Sequence, residues 1–308
     1  MRVLILHNPA AGRGRGATIA RELASLLERD AHRVVTHGVG AASADPAALL
    51  RERAADAEIL LIAGGDGTVH HTLPIATELG RPVFHVPLGT ENLFARHFNM
   101  RAHAPTIRDA LRERRIARVD AATLNADGAS RMFCLMVGAG PDAGVIRRLC
   151  GARRGPISHL SYLGPILRET MSPHIPRITV DVDGKRVVDA RTGQLVVANC
   201  REYAVGLNPA HRACMRDGLV DAVFHPAPAG ALGSLFAGAW MVASCLRVSG
   251  DGRLGCVHAS GSRVRVIIDH ARPTTQVDGE LGPAAREIEI AVVPRALRVL
   301  LPPGTSAP

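Results

Sequence analysis

The segment of this 308-residue chain that is best suited to chemistry is a glycine-rich turn with one carboxylate. The strand-like run 58–63 is apolar after Glu58 and does not alternate with polar residues, which is typical of a buried strand. It ends at Gly64-Gly65-Asp66-Gly67-Thr68, where a helical pattern begins. Glycines let backbone N–H groups approach a ligand, and the start of a helix suits an anion such as phosphate. The Asp66 carboxylate suits a cation instead. The turn therefore predicts a magnesium–nucleotide site, with a tight turn that binds nothing as the alternative.

A second strand-to-helix turn, Pro87-Leu88-Gly89-Thr90-Glu91-Asn92, follows the next strand-like run, 82–86. Because ligands of such sheets bind in a crevice at the carboxyl ends of the strands, we expect both turns to face one crevice. A third glycine-rich loop contains Gly12-x-Gly14-x-x-Ala17, which has the form of the dinucleotide-binding fingerprint. Its context excludes that function, since the first glycine lies several residues past the strand and no acidic residue ends the second strand. The chain also lacks the P-loop pattern Gly-x-x-x-x-Gly-Lys-Ser/Thr.

The elements that must position these turns change in character along the chain. The first third alternates strand-like runs (2–6, 32–36, 58–63, 82–86) with helical patterns (18–29, one opening at Asp45-Pro46, 68–79, 91–97), which predicts a parallel sheet with helices on its faces. Beyond residue 120 the strand-like runs are 131–137, 177–182, 194–198, 219–224, 263–268 and 286–292, and the helical patterns are 142–149, 158–170 and 230–247. That pattern predicts a mostly antiparallel β domain. We therefore expect an α/β domain over 1–122 and a β domain over 123–308.

The composition favours certain partners and compartments. Lys and Arg number 37 against 28 acidic residues, giving a net charge of +9, and basic stretches lie at 108–118 and 147–154. Aromatic residues make up 3%, too few for base stacking, so we expect an anionic membrane surface and no nucleic acid. Six cysteines without a Cys-x-x-Cys pair indicate reduced thiols in the cytoplasm. The uncharged segment 227–246 has the length of a membrane span, but its small residues favour a helix packed on the domain or resting on a bilayer.

Taken in order, the motifs resemble those of the superfamily of diacylglycerol kinases and sphingosine kinases, including its bacterial members. The series runs Asn8-Pro9, Gly64-Gly65-Asp66-Gly67-Thr68, Pro87-Leu88-Gly89-Thr90 with Asn92, Gly140-x-Asp142-Ala143, Asp217-Gly218-Leu219, and Gln276-Val277-Asp278-Gly279-Glu280. It spans nearly the whole chain. The resemblance implies a Rossmann-like α/β nucleotide-binding domain, a β-sandwich lipid-binding domain, and an active site in the cleft between them.

The resemblance also implies a reaction, in which the γ-phosphate of ATP passes to a lipid hydroxyl with Mg²⁺, diacylglycerol being the default acceptor. ATP would be held by Asn8, Thr36, the turn Gly64 to Thr68, Gly89, Thr90 and Asn92, with Asp66 engaging the Mg-nucleotide. Glu280 would accept the proton of the lipid hydroxyl, with Asp278 as its substitute, although Asp-Gly is also an ordinary hairpin turn.

Two further positions receive roles by the same resemblance. Asp217, with the backbone carbonyls of Cys214 and Leu219, would form a second metal loop, the alternative being a turn before the next strand. Asp142 would lie near the lipid head group, the alternative being a simple helix N-cap.

Departures from the family pattern leave the acceptor open. Bacterial relatives often have Asn where this chain has His70, and Asp where it has Leu93. One alternative is a kinase of a soluble acceptor such as NAD, because NAD kinases share a similar Gly-Gly-Asp-Gly turn. The other is a non-catalytic regulator that binds nucleotide or lipid. The sequence leaves open whether the protein forms a homodimer.

Overall fold

The computed structural model describes residues 1–39, 46–152, 163–171, 175–206, 208–227 and 256–306. The chain divides into two compact units, Met1–Val119 with Arg295–Pro308, and Asp120–Pro294. Asp45, the helical pattern 230–247 and all but one residue of the segment 227–246 lie outside the described residues. No helix in the described ranges is long and apolar enough to cross a membrane.

The first unit is an α/β structure. Its strands are β1 (Arg2–His7), β2 (Arg33–Gly38), β3 (Ile59–Gly64) and β4 (Val83–Pro87), and its helices are α1 (Ala11–Gly14), α2 (Gly16–Arg29), α3 (Pro46–Ala55), α4 (Asp66–Glu78), α5 (Leu93–His97) and α6 (Ala104–Glu113). The strands are parallel in the order β4-β3-β1-β2. The predicted alternation of strand and helix is therefore confirmed. The central position of β3 explains why all six of its residues are apolar and buried.

The second unit is mostly antiparallel, as predicted. Its strands and helices are β5 (Ile116–Ala126, which begins in the first unit), β6 (Ala129–Phe133), β7 (Met136–Ala139), α7 (Pro141–Ala152), α8 (Leu163–Met171), β8 (Arg177–Val182), β9 (Lys185–Ala198), β10 (Val220–Pro226), β11 (Val257–Gly261), β12 (Arg263–Asp269), β13 (Thr275–Val277), β14 (Glu280–Leu281) and β15 (Glu287–Leu300). Pairing within the unit follows the order β14-β13-β7-β9-β8-β12-β15, with β10 joining β9 to β11.

The core of the second unit explains why its strands alternate. Ile178, Val180 and Val182 on β8 share one buried cluster with alternate residues of β9, β10, β12 and β15. Each strand thus turns one face to a common core, which is the pattern expected of a half-buried antiparallel sheet. The strands form an open sheet connected by hydrogen bonds.

Two expectations about the second unit need correction. The single strand predicted over 131–137 is wrong, because β6 ends at Phe133 and β7 begins at Met136. The intervening backbone is bound by a side chain described below. The expected β domain does not contain the whole remainder of the chain either, since β15 passes into the first unit after Pro294, where Val299 pairs in parallel with Val83 of β4.

Candidate active site

The carboxyl ends of β1, β3 and β4 carry three loops that are bonded to one another. Leu88 N–H donates to Gly64 O at 2.8 Å, which joins the second turn to the first. Gly12 N–H donates to Leu88 O at 3.0 Å, which adds the loop after β1. The structure thus brings together the turns that the sequence expects at one crevice.

The two strand-to-helix turns touch backbone to backbone at Gly65 and Gly89. A Cβ added to Gly89 would lie 2.6 Å from Gly65 Cα, and a Cβ added to Gly65 would lie 3.2 Å from Gly89 Cα. Neither residue has a positive φ, so the contact between the turns, and not an unusual backbone conformation, requires glycine here. Only residues without side chains allow the two loops to meet this closely.

Asp66 has a structural role that the sequence did not predict. Its carboxylate accepts the N–H groups of Leu93 at 2.9 Å and Phe94 at 3.1 Å, at the start of α5. The negative charge complements the backbone amides at that helix end, which have no acceptor within the helix. Asp66 therefore fixes the second turn against the first, and its engagement of a Mg-nucleotide stays a prediction.

The asparagines assigned to ATP are also bound to the loops that carry them. Asn92 accepts Gly89 N–H at 2.8 Å through Oδ1 and donates to Gly89 O at 2.8 Å through Nδ2, so it closes its own turn. Asn8 Oδ1 accepts Ala10 N–H at 3.0 Å. Both amides shape the loops whose backbone would meet the ligand.

The other residues assigned to ATP lie at different depths. Thr68 is buried in the first turn of α4, next to Gly67, whereas Thr90 is half-buried in the second turn. Thr36 is exposed on β2, where it pairs with Ile5, and β1 separates it from β3. The structure therefore groups the glycine turns closely and places Thr36 further along the sheet edge.

One residue beneath the turns was not predicted from the sequence as part of the site. His85 on β4 is fully buried, and its Nε2 lies 2.9 Å from Gly64 O. Burial lowers the pKa of His85, although the nearby Asp66 carboxylate opposes the shift. The available signal was a histidine inside the apolar strand 83–86, since buried strands rarely carry an ionisable side chain.

In the second unit, Asp278 is buried and binds the backbone between β6 and β7. Its carboxylate accepts Cys134 N–H at 3.0 Å, Leu135 N–H at 2.8 Å and Met136 N–H at 3.0 Å. This contact explains why the strand predicted over 131–137 is interrupted. Asp278 and Gly279 both have positive φ, of 50° and 80°, which fits the tight hairpin that Asp-Gly favours.

Glu280 follows Gly279 and is the first residue of β14. It differs from Asp278 in burial and in hydrogen bonding. Its side chain is half-buried, and its carboxylate has no hydrogen-bond partner among the described residues. Of the two candidate bases, Glu280 is the one whose oxygens are available to another molecule. Its catalytic role stays a prediction.

Asp142, in the first turn of α7, is one corner of a polar cluster next to the hairpin. Its Oδ2 accepts the Tyr203 hydroxyl at 3.2 Å and Gln276 Nε2 at 3.4 Å, while Oδ1 accepts Ala143 N–H at 2.7 Å. Burial raises the pKa of Asp142 to about 6, and these hydrogen bonds oppose the shift. Gln276 Oε1 also accepts Gly279 N–H at 2.9 Å, so the cluster is linked to the turn that carries Glu280.

Asp217 is exposed, and its Oδ1 accepts Leu219 N–H at 3.0 Å, as in a turn. The same loop is held by Asp120, which accepts Gly218 N–H at 2.8 Å. Partial desolvation raises the pKa of Asp217, and the carboxylates of Asp221 and Asp120 raise it further. No group of three His, Cys, Asp or Glu side chains able to hold a metal occurs in the described residues, but one carboxylate with two backbone carbonyls is a different kind of site.

Residues 2–124 match the model of the diacylglycerol kinase catalytic domain. A Staphylococcus haemolyticus protein named "Putative lipid kinase SH2167" is 26% identical over 256 residues, covering 81% of this chain and 78% of that protein. A "putative diacylglycerol kinase" from Bacillus anthracis strain Sterne has a solved structure that covers 99% of this chain and 98% of its own at 17% identity, with a TM-score of 0.70. Yeast NADH kinase complexed with NADH covers 97% of this chain and 82% of its own at 12% identity, with a TM-score of 0.50.

The chain therefore carries a diacylglycerol kinase catalytic domain, which confirms the resemblance to the superfamily of diacylglycerol and sphingosine kinases. That domain supports a kinase activity. At their low identities, the two solved structures show a shared fold.

Proposed function

We propose that this protein is a lipid kinase that transfers the γ-phosphate of ATP to a lipid hydroxyl in the presence of Mg²⁺, with diacylglycerol as the default acceptor. The observation that carries the proposal is the contact between the Gly65 and Gly89 turns at the carboxyl ends of β3 and β4. The N terminus of α4 has no side-chain cap at Gly65, and the first amides of a helix have no acceptor within the helix. Such amides suit the phosphates of a nucleotide.

Glu280 supports the step in which the lipid hydroxyl loses its proton. A general base needs oxygens within reach of the hydroxyl whose proton it accepts, and a carboxylate of ordinary pKa is sufficient. Asp278 has both oxygens bound to backbone N–H groups, whereas Glu280 does not. We therefore assign the proton-accepting role to Glu280 and a supporting role to Asp278.

The loop of Asp217 suits Mg²⁺ as a second ion. Its carboxylate lies near Asp221 and Asp120, and their shared negative charge favours a cation. Asp217, with the carbonyls of Cys214 and Leu219, would supply the oxygen ligands that Mg²⁺ prefers.

The test is transfer of labelled γ-phosphate from ATP to a panel of lipid alcohols in mixed micelles, with and without Mg²⁺. We expect a labelled lipid, and we expect Glu280→Gln to lower kcat by about 100-fold or more. Glu289→Gln removes a charge from an exposed position on β15 and should keep full activity.

The same assay separates the alternatives. NAD and NADH belong in the panel because the fold is shared with a NADH kinase. If only the dinucleotide became labelled, the acceptor would be a soluble molecule and not a lipid. Protein that binds ATP and labels no acceptor would be a regulator.

A further inference from the structure

His85 occupies a position where a histidine is costly. It lies between Phe84 and Val86 on β4, and its side chain is 0% exposed. A buried polar ring lowers stability unless it is hydrogen-bonded. The contact it makes should therefore account for its presence.

That contact fixes which ring nitrogen carries the donated proton. Nε2 lies 2.9 Å from Gly64 O, and a carbonyl oxygen only accepts, so Nε2 carries the proton. Nδ1 is buried and has no hydrogen-bond partner among the residues that the structure describes. His85 is therefore a neutral imidazole that donates from Nε2, and burial, which lowers its pKa, keeps it neutral.

The acceptor is the carbonyl oxygen of Gly64, the first glycine of the turn after β3, and it accepts two hydrogen bonds. Gly64 O also accepts Leu88 N–H at 2.8 Å. Both donors belong to β4 or to the turn that follows it, so the carbonyl points towards β4. Because a trans peptide directs C=O and the next N–H to opposite sides, Gly65 N–H points away from β4, to the side of β3 where β1 and its glycine-rich loop lie.

Gly64 and Gly65 need this support. A peptide between two glycines has little steric restraint of its own and rotates more easily than one between residues with side chains. Gly65 N–H has no acceptor in the part of the chain that the structure describes. Its direction therefore depends on what holds Gly64 O.

We propose that His85 is a positioning residue, whose Nε2–H orients the Gly64–Gly65 peptide so that Gly65 N–H is presented to a phosphate oxygen of the bound nucleotide. The inference rests on the proposed function, because it needs a nucleotide at these turns. The ring acts from beneath the turn and does not touch the ligand.

The test compares two substitutions by calorimetric titration of ATP. His85→Leu removes the donor and keeps an apolar side chain in the core, whereas His85→Gln keeps an N–H near the position of Nε2. We expect the Kd for ATP to rise about tenfold in His85→Leu and to return to within about threefold of wild type in His85→Gln, since one hydrogen bond to the turn is lost and then restored. His97→Leu is the control, because His97 is also buried in this unit but packs its ring against Phe98 at 4.9 Å.

The outcomes are distinct. Equal Kd values for folded wild type and His85→Leu would overturn the inference and leave the kinase proposal standing, and so would a His85→Gln variant as weak as His85→Leu. Wild-type protein that binds no ATP would overturn both.

A second measurement applies if the leucine variant fails to fold. Nitrogen-15 chemical shifts of labelled histidine in the wild type, assigned by comparison with His85→Gln, should show the neutral Nε2–H tautomer. The Nδ1–H tautomer, or a protonated ring at pH 7, would overturn the inference.

Discussion

At the scale of single residues, Asp278→Ala should lower the stability of the protein, because it leaves three buried backbone N–H groups without their acceptor. We expect the free energy of unfolding to fall by about 3 kcal/mol, as for the loss of hydrogen bonds to a charged group. Urea denaturation followed by circular dichroism measures it. Asp278→Asn keeps an acceptor oxygen and a residue type that tolerates the φ of 50°, so its loss should be smaller. Equal stability of wild type and Asp278→Ala would contradict the structural role.

The pH dependence of stability is a second prediction at this scale. Asp142 has a folded pKa raised from 3.8 to about 6, so between these values the folded protein keeps a proton that the unfolded chain has released. Wild-type stability should therefore decrease as the pH rises through this window. Asp142→Asn keeps the hydrogen-bond acceptor and removes the ionisation, so its advantage over wild type should grow by about 2 kcal/mol from pH 4 to pH 7.

Denaturant midpoints at a series of pH values measure this difference. Asp189→Asn removes a carboxylate whose side chain is 76% exposed, and its difference from wild type should stay nearly constant. A constant difference for Asp142→Asn as well would show that Asp142 ionises normally in the folded protein.

At the scale of elements, the packing of the two glycine turns can be tested by adding one methyl group. Gly89→Ala would place a Cβ 2.6 Å from Gly65 Cα and 2.9 Å from Asn92 Oδ1, so backbone must shift. We expect the Kd for ATP to rise about tenfold or more and stability to fall by about 1–2 kcal/mol. Titration and thermal melting measure the two effects. Gly164→Ala on α8 would meet no described residue within 4 Å and should be neutral or stabilising by up to about 1 kcal/mol.

The elements of the first unit could largely be predicted from the sequence because parallel strands buried on both faces are written as unbroken apolar runs. Strand 58–63 was predicted one residue early, as β3 is Ile59–Gly64. The short strands β13 and β14 were missed, since three and two residues are too few to show a period. They carry the hairpin of Asp278, which was found only as a motif.

The candidate site could likewise be predicted only in part from the sequence. Glycine and carboxylate motifs located the turns, because their residue types are required by local geometry. Their bonding partners could not be predicted, since Asp66 reaches Leu93 across 27 positions and Asp278 reaches Cys134 across 144. Such contacts depend on which strands lie side by side, and the sequence does not show that order.

At the scale of the whole molecule, the net charge of +9 is the basis of the proposed contact with anionic membrane. The basic stretch 108–118 is less free than its sequence indicates. Its ion pairs with other described residues include Arg108 with Asp30, Arg112 with Asp109 and Arg114 with Glu58. Arg115 and Arg118 are exposed and flank Ile116, which is 37% exposed. These two arginines are therefore where we expect lipid contact.

We predict that the protein sediments with vesicles containing anionic lipid at low salt. It should be released at about 0.5 M salt, because surface charges are then strongly screened. Reversing both charges, by Arg115→Glu with Arg118→Glu, should weaken vesicle binding by about tenfold or more, since each arginine near such a surface contributes about 1 kcal/mol. The control is Arg272→Glu with Arg286→Glu, which changes the net charge equally at exposed positions of the second unit. Equal weakening by both pairs would mean that the net charge alone drives binding, and sedimentation unchanged by salt would exclude an electrostatic contact.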